Sequence, residues 1–238
     1  MDKWIPCAVP SALSKSEVQI WQVDLSSQTS NLAHYISLLN QDEIARKNRF
    51  KFVKDQENFA ITRGVLRTLL GSFLALEPSR VAFKYTAHGK PKCATDSAIH
   101  FNVSHTQNKA VFAFTLEAAV GIDIESITTR PTQQLANRFF AKEEVKALSL
   151  LSQTEQQHAF YRIWTQKEAY IKAIGLGLSQ SLDSFVVSVT PPAKIISIDN
   201  SIDQAGPWSM HSFTLGDAFI GHLAIKKRAL TIGYYRFV

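Results

Sequence analysis

The order of predicted elements in this 238-residue chain repeats once, and the repeat limits the folds open to it. In the first half, a short helix and a longer helix with Asp55 as its N-cap precede a run of strands. In the second half, helices over Leu135–Leu151 and Glu155–Ile174 again precede strands. This order is typical of an α/β (α+β) protein in which a long helix packs on a small, mostly antiparallel sheet. We therefore predict a pseudo-twofold pair of similar lobes, residues 1–117 and 118–238.

Composition narrows the class of protein and its partners. Hydrophobic residues make up 45% and charged residues 19%, as in ordinary globular domains. With no apolar run near the ~20 residues of a membrane span and no secretory pattern, we expect a cytoplasmic protein without membrane contact. The two cysteines, Cys7 and Cys93, are too few for a thiolate zinc cluster. A net charge of +6 favours a polyanionic partner, which is a nucleic acid, a phosphorylated cofactor or an acidic protein.

The segment Val120–Glu125 places two carboxylates on one face of a predicted strand. Successive strand side chains point to opposite faces, so Asp123 and Glu125 share a face and lie about 7 Å apart. Like charges at that distance repel unless a positive group lies near them. A divalent cation such as Mg²⁺ meets that need, because it takes carboxylate oxygens and keeps positions open for phosphate. An edge strand with a solvated face would show the same alternation.

The second long helix carries an acid and a lysine on one face. Glu168 and Lys172 are four residues apart, which is the spacing of a surface salt bridge worth a few tenths of a kcal/mol. However, Trp164 lies on the same line of the helix and would bury part of this pair. A half-buried acid beside a lysine is typical of acid–base catalysis.

Further polar residues are candidates for ligand binding. Ser104 and His105 are neighbours on a strand and point apart, so they cannot form a nucleophile–base pair with each other. His105 precedes a polar turn, where ligand-binding residues tend to lie, although a structural role is the alternative. The basic run Arg46–Lys54 indicates a solvated face and is a weak signal for nucleic acid. Arg63 and Arg67 either clamp a phosphate or extend to solvent.

Taken together, these segments resemble the 4′-phosphopantetheinyl transferases of the surfactin-synthetase-activating (Sfp) type, in particular bacterial and cyanobacterial members. The similarity runs from about residue 40 to about residue 190. The strand motif Gly-Ile-Asp-x-Glu followed by the helix motif Trp-x-x-Lys-Glu-Ala-x-x-Lys is its most specific part. In order, the matching segments are Arg46…Phe50, Gly89-Lys90-Pro91, Phe101-Asn102-Val103-Ser104-His105, Gly121-Ile122-Asp123-Ile124-Glu125, Arg138-Phe139-Phe140…Glu144 and Trp164…Lys172.

The resemblance implies an enzyme that moves the phosphopantetheine arm of coenzyme A (CoA) onto a conserved serine of an acyl or peptidyl carrier protein, releasing 3′,5′-ADP. Such carriers serve fatty acid, polyketide or nonribosomal peptide synthesis and are generally acidic. CoA would lie between the lobes, and one chain would form a complete site as a monomer. The alternatives are a non-catalytic CoA- or nucleotide-binding regulator and a nucleic-acid-binding module. The three carboxylates that would bind the metal ion are all present in the sequence, which argues against a non-catalytic regulator. The basic residues cluster on helices, which argues against a nucleic-acid-binding module.

The resemblance also assigns the metal and the catalytic groups. Asp123, Glu125 and Glu168 would hold Mg²⁺, with Mn²⁺ as the alternative ion. Glu168, directly or through a metal-bound water, would accept the proton of the serine, and Glu144 is the alternative base. Lys172 would neutralise charge on the bridging oxygen of the pyrophosphate.

The remaining assignments concern CoA. Basic side chains would contact its 3′-phosphate and adenine side, a hairpin turn would border the adenine, and polar residues would line the nucleotide site. In chain order these residues are Arg46, Thr86, Lys90, Pro91, Asn102, Ser104 and His105, with Asp123 and Lys172 at the pyrophosphate.

Overall fold

The structure is a computed structural model that describes residues 3–116, 118–129, 131–199, 204, 206–227 and 230–238. The elements of the first half are β1 (Ile5–Cys7), β2 (Glu17–Asp24), α1 (Leu32–Leu38), α2 (Gln41–Asn48), α3 (Val53–Leu74), β3 (Phe83–Tyr85), β4 (Pro91–Cys93), β5 (Ile99–Thr106) and β6 (Lys109–Leu116). The elements of the second half are β7 (Val120–Ser126), α4 (Gln133–Phe139), α5 (Lys142–Ser149), α6 (Gln153–Ile174), β8 (Phe185–Val187), β9 (Ile195–Ile198), β10 (Ser209–Thr214), β11 (Phe219–Ile225) and β12 (Thr231–Phe237).

The predicted repeat of element order is present. Each half contains an eight-residue helix followed by a 22-residue helix, α2 then α3 and α5 then α6. Each long helix is followed by a two-stranded hairpin and then by two antiparallel strands of the larger sheet. The α/β fold class with a long helix on a sheet in each half is therefore confirmed.

The sheets do not follow the chain in simple order. A five-stranded sheet has the order β1-β12-β2-β6-β5, and a three-stranded sheet has the order β10-β11-β7. The last strand, β12, pairs in parallel with both β1 and β2, so it lies in the sheet of the first half. Its Tyr235 and Phe237 pack into the core beneath that sheet. The division into lobes at residue 118 stays a prediction, and strand β12 crosses it.

Three apolar clusters hold the molecule together. One lies between α3 and the five-stranded sheet, and a second surrounds α6. In the third, Val18 and Ile20 of β2 pack against Val120, Ile122 and Ile124 of β7, so the two larger sheets meet face to face. The predicted alternation of β7 is thereby confirmed, because its apolar residues face the other sheet. The opposite face of β7 is turned towards α6.

Two predicted helix boundaries are wrong. The helix predicted over Leu135–Leu151 is two helices, because Phe140 and Ala141 are extended and α5 begins anew after them. The long helix α3 has Phe52, and not Asp55, as its N-cap. Asp55 lies in the first turn, where a negative charge still interacts favourably with the helix dipole. None of the helices described is long and apolar enough to cross a membrane.

Candidate active site

Strand β7 lies directly against α6 because residue 121 is glycine. A Cβ atom on Gly121 would overlap the Ala169 carbonyl oxygen and the Ala173 backbone nitrogen of α6. Without a side chain, the strand backbone packs on the helix backbone. This contact brings the acidic face of β7 next to Lys172, the last basic residue of α6.

Three side chains from three elements meet at that contact. The Lys172 Nζ atom of α6 lies 2.6 Å from Asp123 Oδ1 of β7 and 2.9 Å from Ser104 Oγ of β5. Ser104 Oγ also donates a hydrogen bond of 2.8 Å to Asp123 Oδ1. Asp123 and Ser104 are buried, whereas the Lys172 side chain is 28% exposed. The ammonium group is therefore within reach of a ligand.

Strands β5 and β7 are joined by side chains. Asn102 Oδ1 accepts a 2.9 Å hydrogen bond from the Ile122 backbone N–H, and Thr106 Oγ1 donates one of 3.3 Å to Glu125 Oε2. Together with the bond from Ser104, these contacts bring the polar face of β5 against the acidic strand. Asn102 thus has a structural role besides lining the cleft described below.

The three acidic residues predicted at this site interact through their charges. Burial and the negative charge of Asp123 raise the pKa of Glu125 and of Glu168. Asp123 Oδ2 is buried and has no hydrogen-bond partner. Additional positive charge would relieve this repulsion. Within the described residues, however, no three His, Cys, Asp or Glu side chains are grouped closely enough to form a ready metal centre.

A cleft of about 360 Å³ opens beside these residues. Glu168 and Lys172 of α6 form one wall, and Asn102 contributes from β5. The other wall consists of Lys90, in the turn between β3 and β4, and Pro91, the first residue of β4. The cleft is large enough to take part of a small-molecule ligand.

Lys90 holds the β3–β4 turn against both β7 and α6. Its Nζ atom donates hydrogen bonds of 3.0 Å each to the Val120 and Ala173 carbonyl oxygens. Its backbone N–H donates to Thr86 Oγ1, which shapes the turn. Burial and the nearby Lys92 lower the pKa of Lys90 to about 8. The two carbonyl contacts were not predicted from the sequence.

His105 lines a second cavity, of about 550 Å³, next along β5. Phe59 and Lys54 of α3 form the opposite side of this cavity. The guanidinium of Arg46 lies 5.7 Å from the centre of the Phe59 ring. Desolvation by the cavity walls and the charge of Lys172 lower the pKa of His105. The predicted CoA-binding residues thus do not share one cavity, because Thr86 lines a third one, of about 510 Å³, together with Lys90 and Pro91.

Glu144 is not brought to either cavity. It is 1% exposed, its Oε2 lies 2.9 Å from Lys167 Nζ, and its Oε1 accepts a 2.7 Å bond from the Val187 N–H. It also accepts a bond from the Ala141 N–H at the start of α5. These are the contacts of a structural residue, and they do not support its predicted role as an alternative base.

Arg67 is structural as well. It is 1% exposed and binds Glu43 and three backbone carbonyls after α3, so it clamps no phosphate. Arg63 is also buried, beside Glu43 and over the Phe83 ring. Neither arginine extends to solvent.

Sequence reasoning missed Thr106 and a buried histidine beneath the site. His222 of β11 pairs with Asp123 of β7, is fully buried, and lies with Nδ1 2.7 Å from Thr165 Oγ1. Thr106 had a detectable signal, because Asn102, Ser104 and Thr106 alternate along β5 as the acids do along β7. The sequence does not show that these two strands lie side by side.

Comparison with known families identifies the class of protein. Residues 119–230 match the 4′-phosphopantetheinyl transferase superfamily, and residues 23–117 match the N-terminal part of 4′-phosphopantetheinyl transferases. The chain therefore belongs to the 4′-phosphopantetheinyl transferase superfamily, and it is an enzyme of this class.

Individual relatives include bacterial and cyanobacterial members, as the sequence predicts. The chain is 36% identical to the 4′-phosphopantetheinyl transferase HetI of Nostoc sp., covering 93% of each protein. It is 33% identical to the transferase Sfp of Bacillus subtilis over 68% of this chain and 70% of that protein. A putative transferase of Synechocystis sp. is 34% identical over 64% of this chain and 63% of that protein.

Proposed function

We propose that the cleft between α6, β5 and the β3–β4 turn binds the diphosphate of CoA and presents it to a serine of a carrier protein. The observation that carries this proposal is the contact of Lys172 with Asp123 and Ser104, with Glu168 lining the same cleft. A cation-rich pocket with an adjacent base is what transfer of a phosphorylated group requires, since such transfer depends mainly on positioning and charge neutralisation.

Glu168 is the proposed base. In the reaction, the serine oxygen bonds to the β-phosphorus of CoA, the bond from that phosphorus to the bridging oxygen breaks, and 3′,5′-ADP leaves. The proton of the serine passes to the Glu168 carboxylate. Burial and Asp123 raise the pKa of Glu168, which makes it a stronger proton acceptor than an ordinary glutamate. Lys172 neutralises the charge that develops on the leaving oxygen.

Asp123, Glu125 and Glu168 would hold a divalent cation, for which we propose Mg²⁺ with Mn²⁺ as the alternative. The fit rests on three carboxylates, on the buried and unpartnered Asp123 Oδ2, and on the mutual repulsion described above. When bound, the ion supplies charge neutralisation for the diphosphate. Besides such an ion, the ammonium group of Lys172 places a positive charge from the chain itself beside Asp123.

The remaining proposals concern the 3′-phosphate and the adenine side of CoA. We propose that His105 and Arg46 meet the 3′-phosphate, because His105 lines the cavity of about 550 Å³ and Arg46 lies over the ring of Phe59, which lines it too. A bound phosphate would raise the pKa of His105, which desolvation lowers. Lys90, Thr86 and Pro91 would border the adenine side through the hairpin turn. Asn102 and Ser104 would line the nucleotide site, as the resemblance implies.

The partner and cellular setting complete the proposal. The net charge of +6 suits an acidic acyl or peptidyl carrier protein, whose association would then be salt-sensitive. We propose that the protein acts as a monomer, since both halves of the site come from one chain. We also propose that it acts in the cytoplasm.

Mass spectrometry of an apo acyl carrier protein, incubated with this protein, CoA and Mg²⁺, tests the function. The carrier should gain the mass of one phosphopantetheine group, and Asp123→Asn should abolish the gain while leaving the circular dichroism spectrum unchanged. Binding of CoA without any mass gain on acyl or peptidyl carrier proteins would favour the non-catalytic regulator.

A further inference from the structure

The junction between α2 and α3 exposes an unusual group of apolar side chains. Phe50, Phe52 and Val53 are 36%, 61% and 67% exposed, and every residue from Asn48 to Asp55 is exposed. Among the described residues, no other segment exposes three large apolar side chains within four positions. A cluster of this kind on a folded protein marks an interaction surface more often than chance exposure.

Helix stability does not explain these residues. Phe52 is the N-cap of α3 but provides no side-chain hydrogen bond to the first turn. Ser, Thr, Asp or Asn at an N-cap stabilises a helix by about 1 kcal/mol relative to a residue that cannot cap. The exposed phenyl ring of Phe52 therefore occupies a position where a small polar residue would stabilise α3 more.

Contacts with α3 anchor Phe50 within this segment. The Phe50 and Phe59 rings lie 5.6 Å apart, and Gln56 Nε2 donates a 3.0 Å hydrogen bond to the Phe50 carbonyl oxygen. A helix adjoins the segment on each side. A surface that is already ordered loses little entropy when a partner binds.

Charge indicates the chemistry of that partner. Five basic residues and no acidic residue occur between Glu43 and Asp55, and three of the five alternate with the apolar side chains as Arg49, Lys51 and Lys54. The complement of this pattern is an acidic protein surface with an apolar side chain at its centre.

The position of the segment connects it to the active site. Phe50 and Lys54 line the same cavity as His105, and His105 is adjacent in sequence to Ser104, which contacts Asp123 and Lys172. We infer that residues 49–53 are the docking surface for the acidic carrier protein whose serine is modified. This inference rests on the proposed function and names the surface that the partner uses.

The test is a kinetic comparison on an apo acyl carrier protein that the unchanged protein modifies. In the double variant Phe52→Ser/Val53→Ser, the KM for the carrier should rise about tenfold, as for loss of interface anchors. Its kcat and its KM for CoA should stay within about twofold of the original values, because no reacting group changes. The matched control is Leu150→Ser, since Leu150 is 79% exposed and lies at the end of α5. This control should change nothing.

Charge reversal provides an independent measurement. Lys51→Glu should raise the KM for the carrier and flatten its dependence on NaCl, whereas Lys146→Glu, an exposed change on α5, should not. If the KM for the carrier is unchanged both in Phe52→Ser/Val53→Ser and in Lys51→Glu, the proposed docking surface is wrong. Loss of binding to phosphatidylserine vesicles with unchanged carrier kinetics would instead assign the segment to membranes. If the unchanged protein modifies no carrier, the proposed function itself fails.

Discussion

Lys172 connects the three elements that build the site. Its ammonium touches β5 through Ser104 and β7 through Asp123, while its own backbone belongs to α6. It is the group in the cleft whose positive charge lies directly beside the buried Asp123. Because it is partly exposed, it can interact with a ligand without giving up its place in the fold.

Lys172→Ala should therefore reduce turnover more than CoA binding. If the ammonium acts on the charge that develops on the leaving oxygen, we expect kcat to fall about 10²-fold or more, as for loss of one stabilising group in a transition state. The KM for CoA should change much less. Steady-state kinetics of phosphopantetheine transfer measure both values, with Lys146→Ala as a surface control. A rise in KM at unchanged kcat would make Lys172 a binding residue only.

His222 makes stability depend on pH. Complete burial and, as the smaller cause, the charge of Arg162 lower the pKa of His222 from 6.5 to about 3. Between these two values the unfolded chain binds a proton at this position and the folded protein does not. The free energy of unfolding should therefore decrease as pH falls from 6.5 towards 3.

The variant His222→Gln should show a weaker loss of stability in acid. Urea unfolding at pH 7 and pH 5 measures the difference, and His34→Gln, at an exposed position on α1, is the control. Equal pH dependence in the His222 variant and the original protein would exclude this histidine as a source of acid sensitivity.

At the scale of elements, the contact between β7 and α6 decides the geometry of the site. The alternation along β7 was readable from the sequence, because strand side chains have a period of two and Val120, Ile122 and Ile124 are all apolar. The break between α4 and α5 was not, because Phe140 and Ala141 carry neither the Pro nor the Gly that marks most helix ends. The close approach at Gly121 depends on a helix nearly 50 residues further along the chain.

Gly121→Ala should separate the strand from the helix. We expect a loss of stability of about 1–3 kcal/mol from overpacking, together with a large loss of activity, because Asp123 would move away from Lys172. Thermal unfolding and transfer rates test this. Ile124→Val, on the opposite face of β7, should cost about 1 kcal/mol through lost packing and leave turnover intact. Normal turnover in Gly121→Ala would show that the close contact is not needed.

At the scale of the whole molecule, the repeat extends to a buried ion pair. Glu43 is the third residue of α2 and binds Arg67, the fifteenth residue of α3. Glu144 is the third residue of α5 and binds Lys167, the fifteenth residue of α6. The motif that led us to expect a base at Glu144 is thus half of a duplicated structural pair. Sequence spacing alone does not distinguish these two uses of a buried acid.

Glu144→Gln should destabilise the protein without changing the chemistry. Removing one partner of a buried ion pair costs about 3–5 kcal/mol, because the other charge is left uncompensated. Chemical denaturation should show this loss, and Glu43→Gln should show a similar one. The kcat of the folded Glu144→Gln protein should match that of the original. A kcat reduced by orders of magnitude in a fully folded sample would return Glu144 to the catalytic residues.

The repeat is not preserved at the proposed catalytic residues. The residues of α3 that correspond in position to Glu168 and Lys172 of α6 are Thr68 and Ser72. In the first half, strand β2 contributes the buried Trp21 to the apolar cluster beside α3, and not a carboxylate. Asp123, Glu125, Glu168 and Lys172, the four charged residues of the proposed site, could be selected from sequence spacing. The supporting contacts of Lys90 and Asn102 could not, because they join segments far apart in the chain.

The parallel insertion of β12 between β1 and β2 also bears on how the molecule is made. A ribosome that has delivered only the first 117 residues has produced a sheet without one of its inner strands. Tyr235 and Phe237, which complete the core beneath that sheet, are made only after strands β7 to β11. The amino-terminal half must therefore wait, with one flank of β2 unpaired, until β12 has been synthesised.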